Sequence, residues 1–264
     1  MLIGLIGDVH ANHSWLARSL DALHARGITT VIQVGDLGIG FSPTGGRAWH
    51  HVNDHLAELG MTMYVAPGNH DNYDQIDQLE TVAVGWLEFR ERILLAPRGH
   101  RSEHDGRTFV WLGGAGSVDR SYRLRLEGMR GARTLWWPQE AVTDADVEAT
   151  IEGGHADVMI SHDAPYPVPS IERSLTAKFD LHDVNDAHQS RLRFTQAVAA
   201  VRPSLLIHGH YHVPVNDTWH QPFADPEADT PVRVCGLARD GDDTHGVALL
   251  DTATLTVEYL NISG

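Results

Sequence analysis

Five short signatures hold the side chains of this chain that could do chemistry together. They are Gly7-Asp8-Val9-His10, Gly35-Asp36, Gly68-Asn69-His70-Asp71, Ser161-His162-Asp163 and Gly209-His210-Tyr211-His212. Each follows a short apolar run, so each stands where a strand would end. Between them they offer carboxylates, imidazoles and an amide, the mixed oxygen and nitrogen donors that suit a pair of borderline divalent cations. A lone Gly-Asp is most often a turn, and a lone histidine is most often solvated or a satisfied core residue. Five such blocks in one chain point to a metal-dependent enzyme.

The elements that must position these blocks alternate between strand and helix. Residues 2–6, 30–34, 62–65, 108–112, 157–160 and 205–207 are short runs rich in Val, Ile and Leu, bounded by Gly, Pro or polar residues. Residues 13–26 place Leu16, Leu20 and Leu23 at helical spacing and stop at Gly27. Thr143 with Asp146 reads as a second helix start, and Asp186 with Gln189 as a capping box for a third, which Pro203 blocks. This alternation predicts a largely buried, partly parallel sheet. Near the end, residues 247–250 and 255–260 flank Asp251-Thr252-Ala253-Thr254 and read as an antiparallel hairpin. Residues 164–185 and 216–230 read as long loops. With no internal repeat and no low-complexity linker, residues 1–264 read as one domain.

In open α/β sheets the carboxyl ends of the strands share one edge, and loops from separated strands converge there. Asp8 and His10, two apart, project to one side if strand geometry persists. The formal net charge of −15 argues against a general coat for DNA or RNA, while a small phosphate ester stays compatible because bound cations reverse the local potential. The lone Cys235 excludes an intramolecular disulfide and fits a buried apolar role in a reducing compartment. No segment reads as a secretory signal or a membrane span, and a cytoplasmic location is expected.

The five blocks, in this order, resemble the calcineurin-like metallophosphoesterase superfamily over residues 8–212. The stretch from Arg120 through Trp136-Trp137-Pro138-Gln139-Glu140 resembles its bacterial and bacteriophage-encoded members. The resemblance implies an α/β fold of two packed mixed β-sheets flanked by helices, with a two-metal site between the strand ends. It assigns Asp8, His10 and His212 to one metal and Asn69, His162 and His210 to the other, with Asp36 bridging both. It makes His70 the catalytic acid that protonates a leaving alkoxide after attack by a metal-bridging hydroxide. Two divalent ions are expected, manganese first, with iron, zinc or nickel compatible with the same donors.

Two divalent cations offset by Asp8, Asp36 and one hydroxide leave about one net positive charge, which suits a monoanionic diester. Gly35-Asp36-Leu37-Gly38 has no arginine directly after its aspartate, unlike the protein phosphatases. The expected partner is therefore a small or cyclic nucleotide-like phosphodiester. A broad phosphomonoesterase is the alternative, ahead of a nuclease, a protein phosphatase or a non-catalytic scaffold. Around this set, Asp71 and Asp163 read equally as carboxylates that orient imidazoles and as turn formers. His13 reads as solvated near a helix start, His208 as packed in its strand, and Gly113–Arg120 as a tight turn after a strand. Arg120 and Arg123 are candidates for substrate contact.

Overall fold

The computed structural model describes residues 1–41, 46–130, 134–175, 177–222 and 230–263. In chain order the elements are β1 (Leu2–Ile6), α1 (His13–His24), β2 (Thr30–Gln33), α2 (Gly46–Glu58), β3 (Thr62–Val65) and α3 (Tyr73–Ile76). Next come β4 (Leu87–Arg90), β5 (Ile93–Leu95), β6 (Arg101–His104), β7 (Arg107–Leu112), α4 (Arg120–Arg130), α5 (Asp144–Glu152) and β8 (Val158–Ser161). The chain continues through α6 (Pro169–Ser174), α7 (Leu181–Val201), β9 (Leu205–His208), β10 (Val215–Trp219), β11 (Val232–Gly236), β12 (Val247–Asp251) and β13 (Thr256–Tyr259).

The strands form two mixed sheets, ordered β13-β12-β1-β2-β3-β5-β4 and β10-β11-β9-β8-β7-β6. In the first, β1, β2, β3 and β5 run parallel; in the second, β7, β8, β9 and β11 do. Antiparallel strands close the edges, including the expected hairpin of β12 and β13.

Period-2 alternation explains why two sheets stack with helices outside. Ile3, Leu5, Ile32 and Val34 from the first sheet meet Phe109, Trp111, Val158, Ile160, Leu205 and Ile207 from the second in a shared middle layer. The alternate residues face outward. Ile6, Val31 and Met63 pack with Leu16, Leu20 and Leu23 of α1 and Trp49 of α2. Val110, Met159 and Leu206 pack with Phe194, Ala197 and Val198 of α7. Residues 109–112 show the pattern at its densest: all are fully buried, with Phe109 and Trp111 inward and Val110 and Leu112 outward. Strands covered on both faces read as continuous apolar runs, which is why they are visible in the sequence.

Helix ends follow local chemistry. Asn12 caps α1 by accepting from the Trp15 N–H (3.2 Å), and Thr143 with Asp146 forms a reciprocal capping box on α5. Three expectations need correction. Helix α7 starts at Leu181 with Asp180 as its cap, so Asp186 lies inside it, where its carboxylate pairs with Arg120 at 2.6 Å. Residues 164–185 are not a bare loop, since they contain α6 and the first turn of α7. Residues 215–219 form edge strand β10, whose Val215 and Trp219 are buried while Asn216 and Thr218 face out and Asp217 accepts from the Ser170 N–H of α6 at 2.8 Å. Of the rest of that expected loop, residues 223–229 lie outside the described residues.

Candidate metal centre

The loops after β1, β2, β3, β8 and β9 meet at the strand ends, and both sheets contribute. The first sheet brings Asp8, His10, Asp36, Asn69 and His70; the second brings His162, His210 and His212. The ligating atoms of Asp8, His10, Asp36 and His212 lie within 4.8 Å of one another. His212 Nε2 is 3.1 Å from Asp8 Oδ2, and His10 Nε2 is 3.4 Å from Asp36 Oδ2. On the other side of Asp36, His162 Nε2 lies 3.3 Å from Oδ1 and 3.0 Å from Asn69 Oδ1. The His210 ring stands 5.0 Å from that of His162. All seven inferred ligands thus gather around one buried carboxylate, and the His70 ring lies 6.0 Å from the His10 ring.

Tight backbone geometry achieves this convergence. His10, Asp36, His210 and His212 all have positive φ, at 47°, 52°, 69° and 57°. Non-glycine residues adopt that region at a cost of about 1 kcal/mol or more each, and such strain concentrates at functional sites. Gly209 is required by close approach, because a Cβ there would strike Asp8 Oδ1; at Gly35 (φ +106°) it would strike the His162 ring. The carboxylates are held by the main chain: Asp8 accepts from His210 N at 3.0 Å and Asp36 Oδ1 from His70 N at 2.6 Å.

The donor set fits divalent cations. Asp36 Oδ2 is buried and has no hydrogen-bond donor, a costly state for a carboxylate oxygen and the expected one for a metal ligand. His162 Nδ1 bonds the Val34 carbonyl at 2.8 Å, which leaves Nε2 directed at Asp36 and Asn69. Burial opposes protonation of His10 and His162, but the carboxylates of Asp36 and Asp8 outweigh it, raising His10 to about 9 and His162 to about 10. The site is built for positive charge between its carboxylates. Burial holds His70 below the ordinary histidine range, with Asp36 opposing.

Several supporting residues depart from the sequence reading, while Asp71 takes the turn-holding one of its two readings. Asp71 orients no imidazole. It accepts the N–H groups of Leu37, Gly38, Ile39 and Gly68 at 2.8–3.3 Å, clamping the Asp36 loop to the Asn69 loop. Asp163 accepts from Tyr211 Oη (2.6 Å) and Ala164 N. The carboxylate that does hold an imidazole is Asp240, 3.1 Å from His10 Nδ1, and nothing in its local sequence marks it. Arg123 lines no open surface. It is buried, pairs with Glu140 at 2.8 Å and donates to the Asn69 carbonyl at 3.1 Å and to Ser117 Oγ. Ser117 Oγ in turn accepts from Asn69 Nδ2 at 2.8 Å, so the amide oxygen is the end left facing His162. The glycine-rich turn after β7 therefore supports Asn69. Arg120 is taken up by Asp186 and the Trp136 ring. The His13 ring stands at the start of α1, half-buried against Trp49 4.5 Å away, and so is only partly solvated. His208 is packed in β9 as expected, with burial lowering it to about 4.

No curated protein sequence matches this chain. Among solved structures, the protein TT1561 of Thermus thermophilus shares the fold at a TM-score of 0.51 and 13% identity, covering 99% of this chain and 100% of that one. An archaeal phosphodiesterase aligns at a TM-score of 0.45 and 14% identity over 98% and 99% of the two chains. A dimetal phosphatase from Danio rerio aligns at 0.47 and 13% over 94% and 91%. The calcineurin-like phosphoesterase family model matches residues 1–214, which span all five signatures. With that match and two helix-flanked mixed sheets meeting at a cluster of Asp and His side chains, the chain belongs to the calcineurin-like phosphoesterases.

Proposed function

We propose that this protein is a binuclear-metal phosphodiesterase acting on small diesters. The observation that carries the reading is the Asp36 carboxylate, buried between two donor groups with His10 facing Oδ2 and His162 facing Oδ1. Asp8, His10 and His212 would hold one divalent cation, Asn69, His162 and His210 the other, and Asp36 both; manganese suits these donors. Bound there, the cations supply an acidified water and offset charge on the phosphoryl oxygens. The chain supplies the rest. The αL loops fix the donors before substrate arrives, and Asp240 holds the His10 ring. Ser117 and Arg123 fix the Asn69 amide, and His70 offers a proton to the leaving oxygen.

Diesters are preferred over monoesters because the arginines of α4 and of the cavity wall on α7 are committed elsewhere. Arg123 pairs with Glu140, Arg120 with Asp186 and Arg191 with Glu172, which leaves none of them for a second phosphoryl charge. The test compares bis-p-nitrophenyl phosphate with p-nitrophenyl phosphate, using chelator-stripped protein reconstituted with manganese. Diester cleavage that depends on metal is expected, with Asp36→Ala losing metal content and rate together. A preference for the monoester, or two metals retained by Asp36→Ala, would overturn the reading.

A further inference from the structure

A cavity of about 820 Å³ opens from the candidate centre, and a phosphoryl group fills only a small part of it. Asp36, Asn69, His70 and His210 line its inner end. Its outer wall comes from α6, α7 and the described residues between them, and it is largely apolar. Leu175, Phe179 and Val184 line it while remaining 55%, 45% and 39% exposed, which gathers exposed apolar side chains around one opening. Beside them the rings of Tyr166 and His188 stand edge to face at 4.9 Å.

Charge in this wall is already compensated. Arg191, the sole arginine or lysine among the described lining residues, pairs with Glu172 at 2.9 Å and donates to the carbonyls of Ala164 and Pro165. Its guanidinium also lies over the rings of Tyr166 and Tyr211, at 5.4 and 5.1 Å, which fixes those rings from behind. Asp163 is bonded by Tyr211 and Ala164, and Asp119 is paired with Arg123 at 3.1 Å. Among its described residues, the outer wall thus has no free cation for a second phosphate. What it presents is apolar side chains and ring edges, continuous with a centre that handles one negative charge.

We propose that this outer chamber is a subsite for an uncharged planar ring carried on the substrate, so that the preferred diester has one anionic phosphorus and one neutral aromatic group. The assignment rests on the phosphodiesterase reading for its inner end, while the ring subsite stands on Leu175, Phe179, Val184 and the Tyr166–His188 pair. The two can fail separately.

The experiment measures calorimetric binding of three monoanionic phosphinates to manganese-reconstituted protein: dimethyl, methyl hexyl and methyl phenyl. None has an ester bond to cleave, so binding is read without turnover. The phenyl compound should bind about tenfold more tightly than the dimethyl one, and more tightly than the hexyl one. Phe179→Ala and Leu175→Ser, both at exposed positions that the fold tolerates, should each bring the phenyl-to-methyl ratio toward one. Equal binding of all three, hexyl preferred over phenyl, or a ratio unmoved in both variants would overturn the subsite. Failure of the metal-loaded protein to hydrolyse bis-p-nitrophenyl phosphate would overturn the phosphodiesterase reading, and the phosphinate ratio would still decide the chamber.

Discussion

His70 is set apart from its neighbours by what it does not touch. Its main chain is tied to Asp36, while its ring stands at the inner end of the cavity, clear of the close carboxylate contacts made by His10, His162 and His212. That placement suits a proton donor better than a ligand. His70→Ala should keep metal content and slow diesters with poor alkoxide leaving groups about a hundredfold, while p-nitrophenyl esters fall far less. Rates across a leaving-group series check this; equal losses throughout would remove the acid role. The ligand blocks were legible because each candidate follows a strand and carries its own glycine or serine. Asp240, Ser117 and Glu140 were not legible. They reach the site from 230, 48 and 71 positions beyond His10, Asn69 and Asn69 respectively, as single residues in segments with no pattern of their own.

Among the elements, β1, β2, β3, β7, β8 and β9 are legible almost to the residue, because two apolar layers write one continuous apolar run, whereas the short β4, β5 and β6 are not. Edge strand β10 was missed because its outward residues are polar, and α7 began early because Asp186-Gln189 imitates a cap while pairing elsewhere. The loops between elements depend on Asp71. Four main-chain N–H groups converge on its carboxylate, which burial and the Asp36 charge push up to about 6. Asp71→Ala would strand those donors without water. A loss of about 3 kcal/mol is expected, read from the urea unfolding midpoint. A change below about 0.5 kcal/mol would show that the loops hold their shape unaided.

For the molecule as a whole, stability should carry a pH signature from one buried pair. Burial raises Glu140 to about 7 even though Arg123, Ser117 and Trp136 favour its charged form. A carboxyl raised on folding contributes stability that is complete below its unfolded value and lost as pH climbs through about 7. Glu140→Gln cannot titrate, so the stability gap between wild type and variant should narrow from pH 5 to pH 8, by at most about 3 kcal/mol. Urea unfolding at three pH values reads it, and a gap that widens would reverse the sign.

The strand ends that hold the donors belong to two sheets joined through the apolar layer of Ile32, Val34, Trp111, Ile160 and Ile207. His162, His210 and His212 ride on one sheet and Asp8, His10 and Asp36 on the other. Any slip of one sheet over the other opens the donor shell from both directions at once. A cation pair held there would in effect gauge interlayer alignment, and thinning that layer by a methylene or two should weaken metal binding well before the protein melts.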